Sequence, residues 1–190
     1  MHPTTPFHIA IDGPAGSGKS TAAKGASRAL GITYIDTGAM YRAVALKVQR
    51  LGQVDEAAAW PGIARAARLS FEQTPDGQRV FLDGEDVEGR IRSPEMSELT
   101  SRVSADAGVR DAVTDAMRDM AASRDAVLEG RDIGTVVLPH AALKIFLAAP
   151  EEVRAGRRAR DLTAAGREVT TDDLRREIRE RDARDSSREA

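Results

Sequence analysis

The stretch Gly13-Pro14-Ala15-Gly16-Ser17-Gly18-Lys19-Ser20 decides the fold of this chain. It matches the pattern G-x-x-x-x-G-K-[ST] at every fixed position. The glycines allow consecutive backbone N–H groups to approach phosphate oxygens, and the start of a helix adds its positive dipole. The pattern therefore predicts a loop that binds the phosphates of a nucleoside triphosphate. The residues assigned to nucleotide binding are this stretch and Thr21.

Two side chains of the loop have specific roles in this prediction. Lys19 would reach the β- and γ-phosphates, and the Ser20 hydroxyl would be a ligand of the Mg²⁺ that the nucleotide carries. The sequence contains no N-K-x-D motif, which guanine-specific switch proteins use to read their base. The residues therefore disfavour a GTPase switch.

The loop lies between two predicted regular elements. The apolar run Phe7 to Ile11 predicts a buried strand, and the Ala-rich residues 20–30, followed by Gly31, predict a helix. Further strands are predicted at 33–35, 126–128 and 143–147, and a further helix at 39–51. This alternation is typical of a parallel sheet flanked by helices. We therefore predict an α/β fold with a P-loop NTPase-type parallel sheet.

The middle of the chain departs from this alternation. After a helix predicted over residues 55–68, alternating stretches at 69–73 and 79–82 flank Thr74-Pro75-Asp76-Gly77, which is a strong hairpin signal. Antiparallel hairpins do not belong within a series of parallel βαβ units. We therefore predict that a small antiparallel β subdomain is inserted into the parallel fold.

Composition limits the class of protein. The chain has 190 residues, 28 Lys+Arg against 30 Asp+Glu, a net charge of −2 and no cysteine. One domain is expected at this length, and the balanced charge disfavours a nucleic-acid partner. No apolar run approaches the ~20 residues that cross a bilayer, so we expect no membrane contact and a cytoplasmic location. The lack of cysteine excludes disulfides and thiolate chemistry.

A second anion site is predicted from arginines that follow strands. Arg42 comes after Asp36-Thr37-Gly38, and Arg131 lies within Glu129-Gly130-Arg131-Asp132. Ligands collect at the carboxyl ends of parallel strands, so both arginines would face the crevice beside the phosphate loop. Each could instead form a surface ion pair. Two arginines at this crevice indicate an acceptor that is itself a phosphate.

Six stretches together resemble one known family. They are Ile9 to Thr21, Tyr34 to Arg42, Leu82 to Arg92, Gly130 to Pro139, Lys144 to Leu147 and Glu177 to Arg188. In combination they are similar to the bacterial cytidylate kinases, a family of nucleoside monophosphate kinases. The resemblance implies ATP-dependent phosphorylation of CMP or dCMP, with Mg²⁺ bound together with ATP, and a short lid that closes over the triphosphate.

The resemblance also implies roles for individual residues. For CMP these are Thr37, Arg42 and Arg131 at the phosphate, Ser101, Arg110 and Asp132 at the cytosine edge, and Arg181 and Asp185 at the ribose, with Arg188 beside them. Arg157 and Arg158 match the lid. The catalytic residues so implied are Lys19, Arg131, Asp132, Arg157 and Arg158.

The implied organisation is one kinase domain over residues 1–190, acting as a monomer. Its core would comprise residues 7–40 and 124–150, its monophosphate-binding insert about 42–122, and its lid about 154–170. Family members normally continue with one more strand and helix, so we expect either that the natural chain is longer than these 190 residues or that its ATP pocket is incomplete. The alternatives are a kinase of UMP, AMP or shikimate, and a non-catalytic nucleotide-binding module.

Overall fold

A computed structural model of the chain describes residues 5–74, 77–164 and 170–186. A four-stranded parallel sheet forms its centre, in the strand order β2-β6-β1-β7. These strands are β1 (His8–Asp12), β2 (Thr33–Asp36), β6 (Ala126–Gly130) and β7 (Leu143–Phe146). In register, Asp12 pairs with Gly130 and with Phe146, and Asp36 pairs with Glu129. The carboxyl ends of the strands therefore meet at one edge, and the predicted parallel sheet is confirmed.

Helices α1 (Lys19–Leu30) and α2 (Thr37–Arg50) follow the first two strands. Helix α1 ends at Gly31, whose φ of 67° is a left-handed conformation that glycine adopts without a steric penalty. Asp36 caps the start of α2, since its carboxylate accepts a hydrogen bond from the backbone N–H of Ala39 at 3.0 Å. Helix α1 therefore ends where the sequence predicts, whereas α2 begins two residues before its predicted start at residue 39.

The inserted subdomain contains a second, antiparallel sheet in the order β3-β4-β5. Its strands are β3 (Leu69–Thr74), β4 (Gly77–Leu82) and β5 (Glu85–Asp86). The register pairs Leu69 with Leu82 and Thr74 with Gly77, as a hairpin requires. The predicted hairpin is confirmed, Pro75 and Asp76 of its turn lie outside the described residues, and the two-residue strand β5 was not predicted.

The prediction of a single helix over residues 55–68 is wrong in its extent. The chain forms a 3-10 turn at Ala57–Ala59 and a short helix, α3 (Trp60–Arg65). Pro61 explains the late start, because proline lacks the N–H that a helix interior needs and is tolerated only in the first turn.

The remaining helical elements follow β5 in the sequence. They are α4 (Pro94–Val103), α5 (Ala107–Ala121), a five-residue π-helix (Ile133–Val137), α6 (Glu151–Ala164) and α7 (Thr171–Ser186). The main apolar core includes Met40, Val44, Val113 and Leu128 and lies where α2 packs on β6 and on helices α4 and α5. A smaller cluster, which includes Ile9 and Ala23, lies beneath α1. Across the described ranges, no helix is both long and apolar enough to span a membrane.

Candidate active site

The phosphate loop takes a backbone shape that only glycine fits. Gly13, Gly16 and Gly18 have φ values of 147°, 74° and 102°. A Cβ at Gly13 would also overlap the carbonyl oxygen of Leu147, just beyond β7. Lys19 is buried, and its Nζ donates a hydrogen bond to the carbonyl oxygen of Pro14 at 2.9 Å. The predicted lysine therefore lies across the inside of the loop.

Glu129, which the sequence analysis did not assign to the site, is bonded to the loop. The Ser20 hydroxyl donates to Glu129 Oε1 at 2.6 Å, and the Tyr34 hydroxyl donates to the same oxygen at 3.2 Å. Burial, followed by the nearby charge of Asp36, raises the pKa of Glu129. The signal that could have found it is its place near the carboxyl end of β6, directly beside the strand that enters the loop.

Helix α6 contacts the loop through arginines. Arg157 Nη1 donates to the carbonyl oxygens of Gly16 at 3.1 Å and Ser17 at 2.9 Å, which places this predicted lid residue at the phosphate loop. Arg158, the next residue of α6, is half-buried. The structure therefore brings at least one predicted lid arginine to the loop.

Arg154, on the same helix, was missed by the sequence analysis. Its guanidinium is buried and forms a bidentate ion pair with Asp182 of α7, at 2.6 and 3.1 Å. It also donates to the carbonyl oxygens of Ala15 and Ala149, at 3.3 and 3.1 Å. Within the Arg-rich segment of the sequence no local signal distinguished it, because its partners come from three separate elements.

Thr37 and Arg42, predicted at the acceptor phosphate, lie on α2. The Thr37 hydroxyl is buried and donates to the carbonyl oxygen of Glu129 at 2.7 Å, which joins α2 to β6. Arg42 Nη1 donates to the carbonyl oxygen of Ile91 at 3.2 Å and to Ser97 Oγ at 3.0 Å. Arg42 therefore links α2 to residues 91 and 97 of the predicted insert.

Of the other predicted acceptor residues, those that the structure describes lie just after β6 or on α4, α5 and α7. Arg131 is half-buried and Asp132 is exposed, and both directly follow β6. Ser101 lies on α4, and Arg110 on α5 donates to the carbonyl oxygen of Ala105 at 2.7 Å. Arg181 and Asp185 lie within α7, whereas Arg188 lies outside the described residues. Residues 165–169 of the predicted lid also lie outside them.

Comparison with known proteins decides the family. A family model described as cytidylate kinase matches residues 9–190. The cytidylate kinase of Pelotomaculum thermopropionicum is 51% identical over 96% of this chain and 82% of its own length. That of Caldanaerobacter subterraneus subsp. tengcongensis is 49% identical over 95% of this chain and 79% of its own length. The chain belongs to the cytidylate kinase family.

The resemblance seen in the sequence is therefore confirmed, and the match to the cytidylate kinase family spans both the phosphate loop and the segments after β2 and β6. A solved structure of shikimate kinase from Acinetobacter baumannii in complex with shikimate aligns with a TM-score of 0.45 at 16% identity, over 97% of this chain and 80% of that chain. A likeness at this level carries no inference about activity.

Proposed function

We propose that this protein transfers the γ-phosphate of ATP to CMP or dCMP, which gives ADP and CDP or dCDP. The observation that carries the proposal is the cytidylate kinase family match over residues 9–190, which includes a complete phosphate loop beside the Gly130-Arg131-Asp132 segment. One oxygen of the CMP phosphate would attack the γ-phosphorus while the bond to the β-phosphate oxygen breaks. A phosphate anion needs no strong general base, so catalysis depends on positioning and on charge neutralisation.

On the ATP side, the loop residues 13–21 would hold the phosphates through backbone N–H groups. Lys19 and Arg157 now donate to loop carbonyl oxygens, at 2.9 Å from Lys19 to Pro14 and from Arg157 to Ser17. We expect both cations to exchange these contacts for oxygens of the transferring phosphate, where Arg158 would assist them. Closure of the lid segment over the site would exclude water and so limit hydrolysis of ATP.

Ser20 and Glu129 are the residues that fit Mg²⁺. Hydroxyl and carboxylate oxygens are ligands that this hard cation prefers, and the two lie 2.6 Å apart beside the loop. Ser20 would be a direct ligand, and Glu129 would orient it or accept from a water on the metal. When bound, Mg²⁺ supplies neutralisation of the charge on the β- and γ-phosphates.

On the acceptor side, Arg42, Arg131 and Thr37 would hold the CMP phosphate opposite the loop. The cytosine edge would be read by Ser101, Arg110 and Asp132. A carboxylate at Asp132 can accept from the exocyclic amine of cytosine but not from the O4 of uracil, which supports CMP over UMP. The ribose is assigned to Arg181 and Asp185, with Arg188 next to them. Lys19, Arg131, Asp132, Arg157 and Arg158 are the proposed catalytic residues.

The test is an ADP-release assay with ATP, Mg²⁺ and a panel of acceptors: CMP, dCMP, UMP, AMP and shikimate. We expect turnover with CMP and dCMP and much slower turnover with the others. Efficient phosphorylation of another acceptor with none of CMP would overturn the proposal. Binding of ATP and CMP without turnover would instead favour a non-catalytic module. We expect the enzyme to act as a monomer in the cytoplasm, where both nucleotides occur.

A further inference from the structure

The carboxylate of Asp12 joins two parts of the site that are far apart in sequence. Asp12 is the last residue of β1 and directly precedes the phosphate loop. Its Oδ1 accepts a hydrogen bond from the backbone N–H of Ile133 at 2.8 Å, and its Oδ2 accepts one from the N–H of Gly134 at 2.8 Å. Hydrogen bonds to an ionised carboxylate are stronger than neutral ones, so both oxygens hold the start of the π-helix firmly.

The held segment directly follows Arg131 and Asp132, which are proposed to bind the acceptor. Asp132 has a φ of 58°, a left-handed conformation that is uncommon for non-glycine residues, although aspartate adopts it more readily than most. Its carbonyl oxygen accepts from the N–H groups of Val136 and Val137, at 2.8 and 3.1 Å. Asp132 is therefore fixed from its C-terminal side by the π-helix, and the π-helix is fixed by Asp12.

The packing around Gly134 shows how closely this carboxylate approaches. A Cβ at Gly134 would lie 3.3 Å from Asp12 Oδ2 and 3.2 Å from Lys144 Cδ. On the other side, Asp12 continues into Gly13, and its carbonyl oxygen accepts from the N–H of Leu147 at 2.7 Å. Asp12 thus bonds to the end of β7 through its backbone and to the start of the π-helix through its side chain, and its own peptide bond leads into the phosphate loop.

We propose that Asp12 is a positioning residue for the acceptor. Its carboxylate sets the place of Arg131 and Asp132 relative to the phosphate loop, so that the acceptor phosphate faces the γ-phosphate of ATP. The inference rests on the proposed function, because it assigns a role within that same reaction. In this proposal Asp12 acts through the backbone of residues 133 and 134 and not through a contact with either nucleotide.

The substitution that tests this role is Asp12→Asn. The amide keeps the size of the side chain but presents its NH₂ group to a backbone N–H, so one of the two hydrogen bonds is lost. We expect the KM for CMP to rise about 10-fold and kcat to fall by a similar factor, because small misplacements of reacting groups are costly. The KM for ATP should change by less than about 3-fold, since the backbone of the loop is untouched.

The matched control is Asp125→Asn. Asp125 Oδ1 accepts from the backbone N–H of Phe7 at 2.7 Å, at the opposite end of the β1–β6 pair. Like Asp12→Asn, this variant replaces a carboxylate that accepts from a backbone N–H near β1. Because Asp125 lies away from the site, the KM values for CMP and ATP should equal those of the wild type. Thermal unfolding of both variants separates lost stability from lost positioning.

The outcomes separate this inference from the proposed function. A wild-type enzyme that makes no CDP overturns both. A wild type that makes CDP, with a CMP KM unchanged in Asp12→Asn or raised equally with that for ATP, overturns the positioning role alone. If Asp12→Asn does not fold, Gly134→Ala provides a second comparison, because its methyl group would lie 3.3 Å from Asp12 Oδ2 and press on the carboxylate without removing it. A selective rise in the CMP KM supports the inference in either variant.

Discussion

At the scale of single residues, Ser20 and Glu129 depend on each other. The 2.6 Å hydrogen bond aims the Ser20 hydroxyl at Glu129, and it leaves the lone pairs of that hydroxyl available to a cation. The carboxylate of Glu129 is buried, so its charged form is costly when nothing compensates it. This combination makes Glu129 a sensitive position for both stability and activity.

Glu129→Gln should change how stability depends on pH. Burial raises the native pKa of Glu129, so the folded protein holds this proton more tightly than the unfolded chain does. The stability that this group contributes is therefore present below the usual glutamate pKa of 4.5 and is lost as pH rises through the native value. Glutamine does not titrate, so the variant should lack this decline. Thermal unfolding between about pH 5 and pH 8 measures it.

The control for this experiment is Glu98→Gln, which removes an exposed carboxylate on α4. Its unfolding curve should parallel that of the wild type over the same range of pH. Identical pH dependence in wild type and Glu129→Gln would contradict the raised pKa. We also expect Glu129→Gln to require more Mg²⁺ for half-maximal activity, because the negative charge beside Ser20 is gone.

Gly130→Ala should destabilise the protein through a clash with Thr37. A Cβ at Gly130 would overlap Thr37 Oγ1 and lie 3.1 Å from Ile133 Cδ1. Overpacking of this kind costs about 1–3 kcal/mol in the free energy of unfolding. The cost should shrink when Thr37→Ala removes the hydroxyl, so a double-mutant cycle by urea unfolding should give a non-additive result. Additive effects would show that residue 130 does not press on Thr37.

At the scale of elements, some features could be predicted because their causes are local. Gly31 ends α1, and Asp36 caps the start of α2, through bonds to residues a few positions away. The phosphate loop was predictable because its glycines must follow one another for the backbone to enclose a phosphate. The local sequence pattern was therefore enough to predict β1, the phosphate loop and α1, which hold ATP in the proposed function.

Other features depend on partners distant in sequence and could not be predicted. The π-helix after β6 begins with hydrogen bonds from the backbone N–H groups of Ile133 and Gly134 to Asp12. These partners are more than 100 residues apart, so no local sequence pattern predicts the contact. The role of Arg154 depends on Asp182 and Ala15 in the same way. Glu129 lay within a predicted motif, but only the register of β6 beside β1 places it at Ser20.

Asp182→Ala should loosen helices α6 and α7 from each other and from the phosphate loop. It leaves the buried guanidinium of Arg154 without its carboxylate, and removing one partner of a buried pair costs about 3 kcal/mol or more. Because Arg154 also donates to Ala15 in the loop, the KM for ATP should rise. Urea unfolding and steady-state kinetics measure the two effects.

A matched control for Asp182→Ala is Asp55→Ala. Asp55 pairs with Arg102 at 3.4 Å, but both side chains are exposed. Exposed pairs of this kind contribute about 0–1 kcal/mol, so the variant should unfold nearly as the wild type does. Equal losses of stability in the two variants would mean that burial of Arg154 adds nothing to its pair with Asp182.

At the scale of the whole molecule, the parallel sheet brings three segments with proposed site residues to one edge. The phosphate loop follows β1, Thr37 and Arg42 follow β2, and Arg131 and Asp132 follow β6. Since β6 lies between β1 and β2, Arg131 and Asp132 after β6, which are the proposed acceptor segment, are adjacent both to the loop and to the start of α2. The strand order therefore places the phosphate loop beside the proposed acceptor residues, as transfer of phosphate between two nucleotides would require.

This arrangement predicts that each nucleotide stabilises the fold, and that the right pair does so most. A ligand present at 100 times its Kd adds about 2.7 kcal/mol to the free energy of unfolding, or roughly 5–10 °C in Tm for a domain of this size. We expect CMP, and separately Mg²⁺ with a non-hydrolysable ATP analogue, to raise Tm. Together they should raise it by more than the sum, because α6 and the acceptor segment close on a shared site. UMP at the concentration used for CMP should produce a much smaller shift, since it lacks the amine that Asp132 would accept from. Differential scanning fluorimetry provides the measurement, and equal shifts with UMP and CMP would contradict the proposed reading of cytosine.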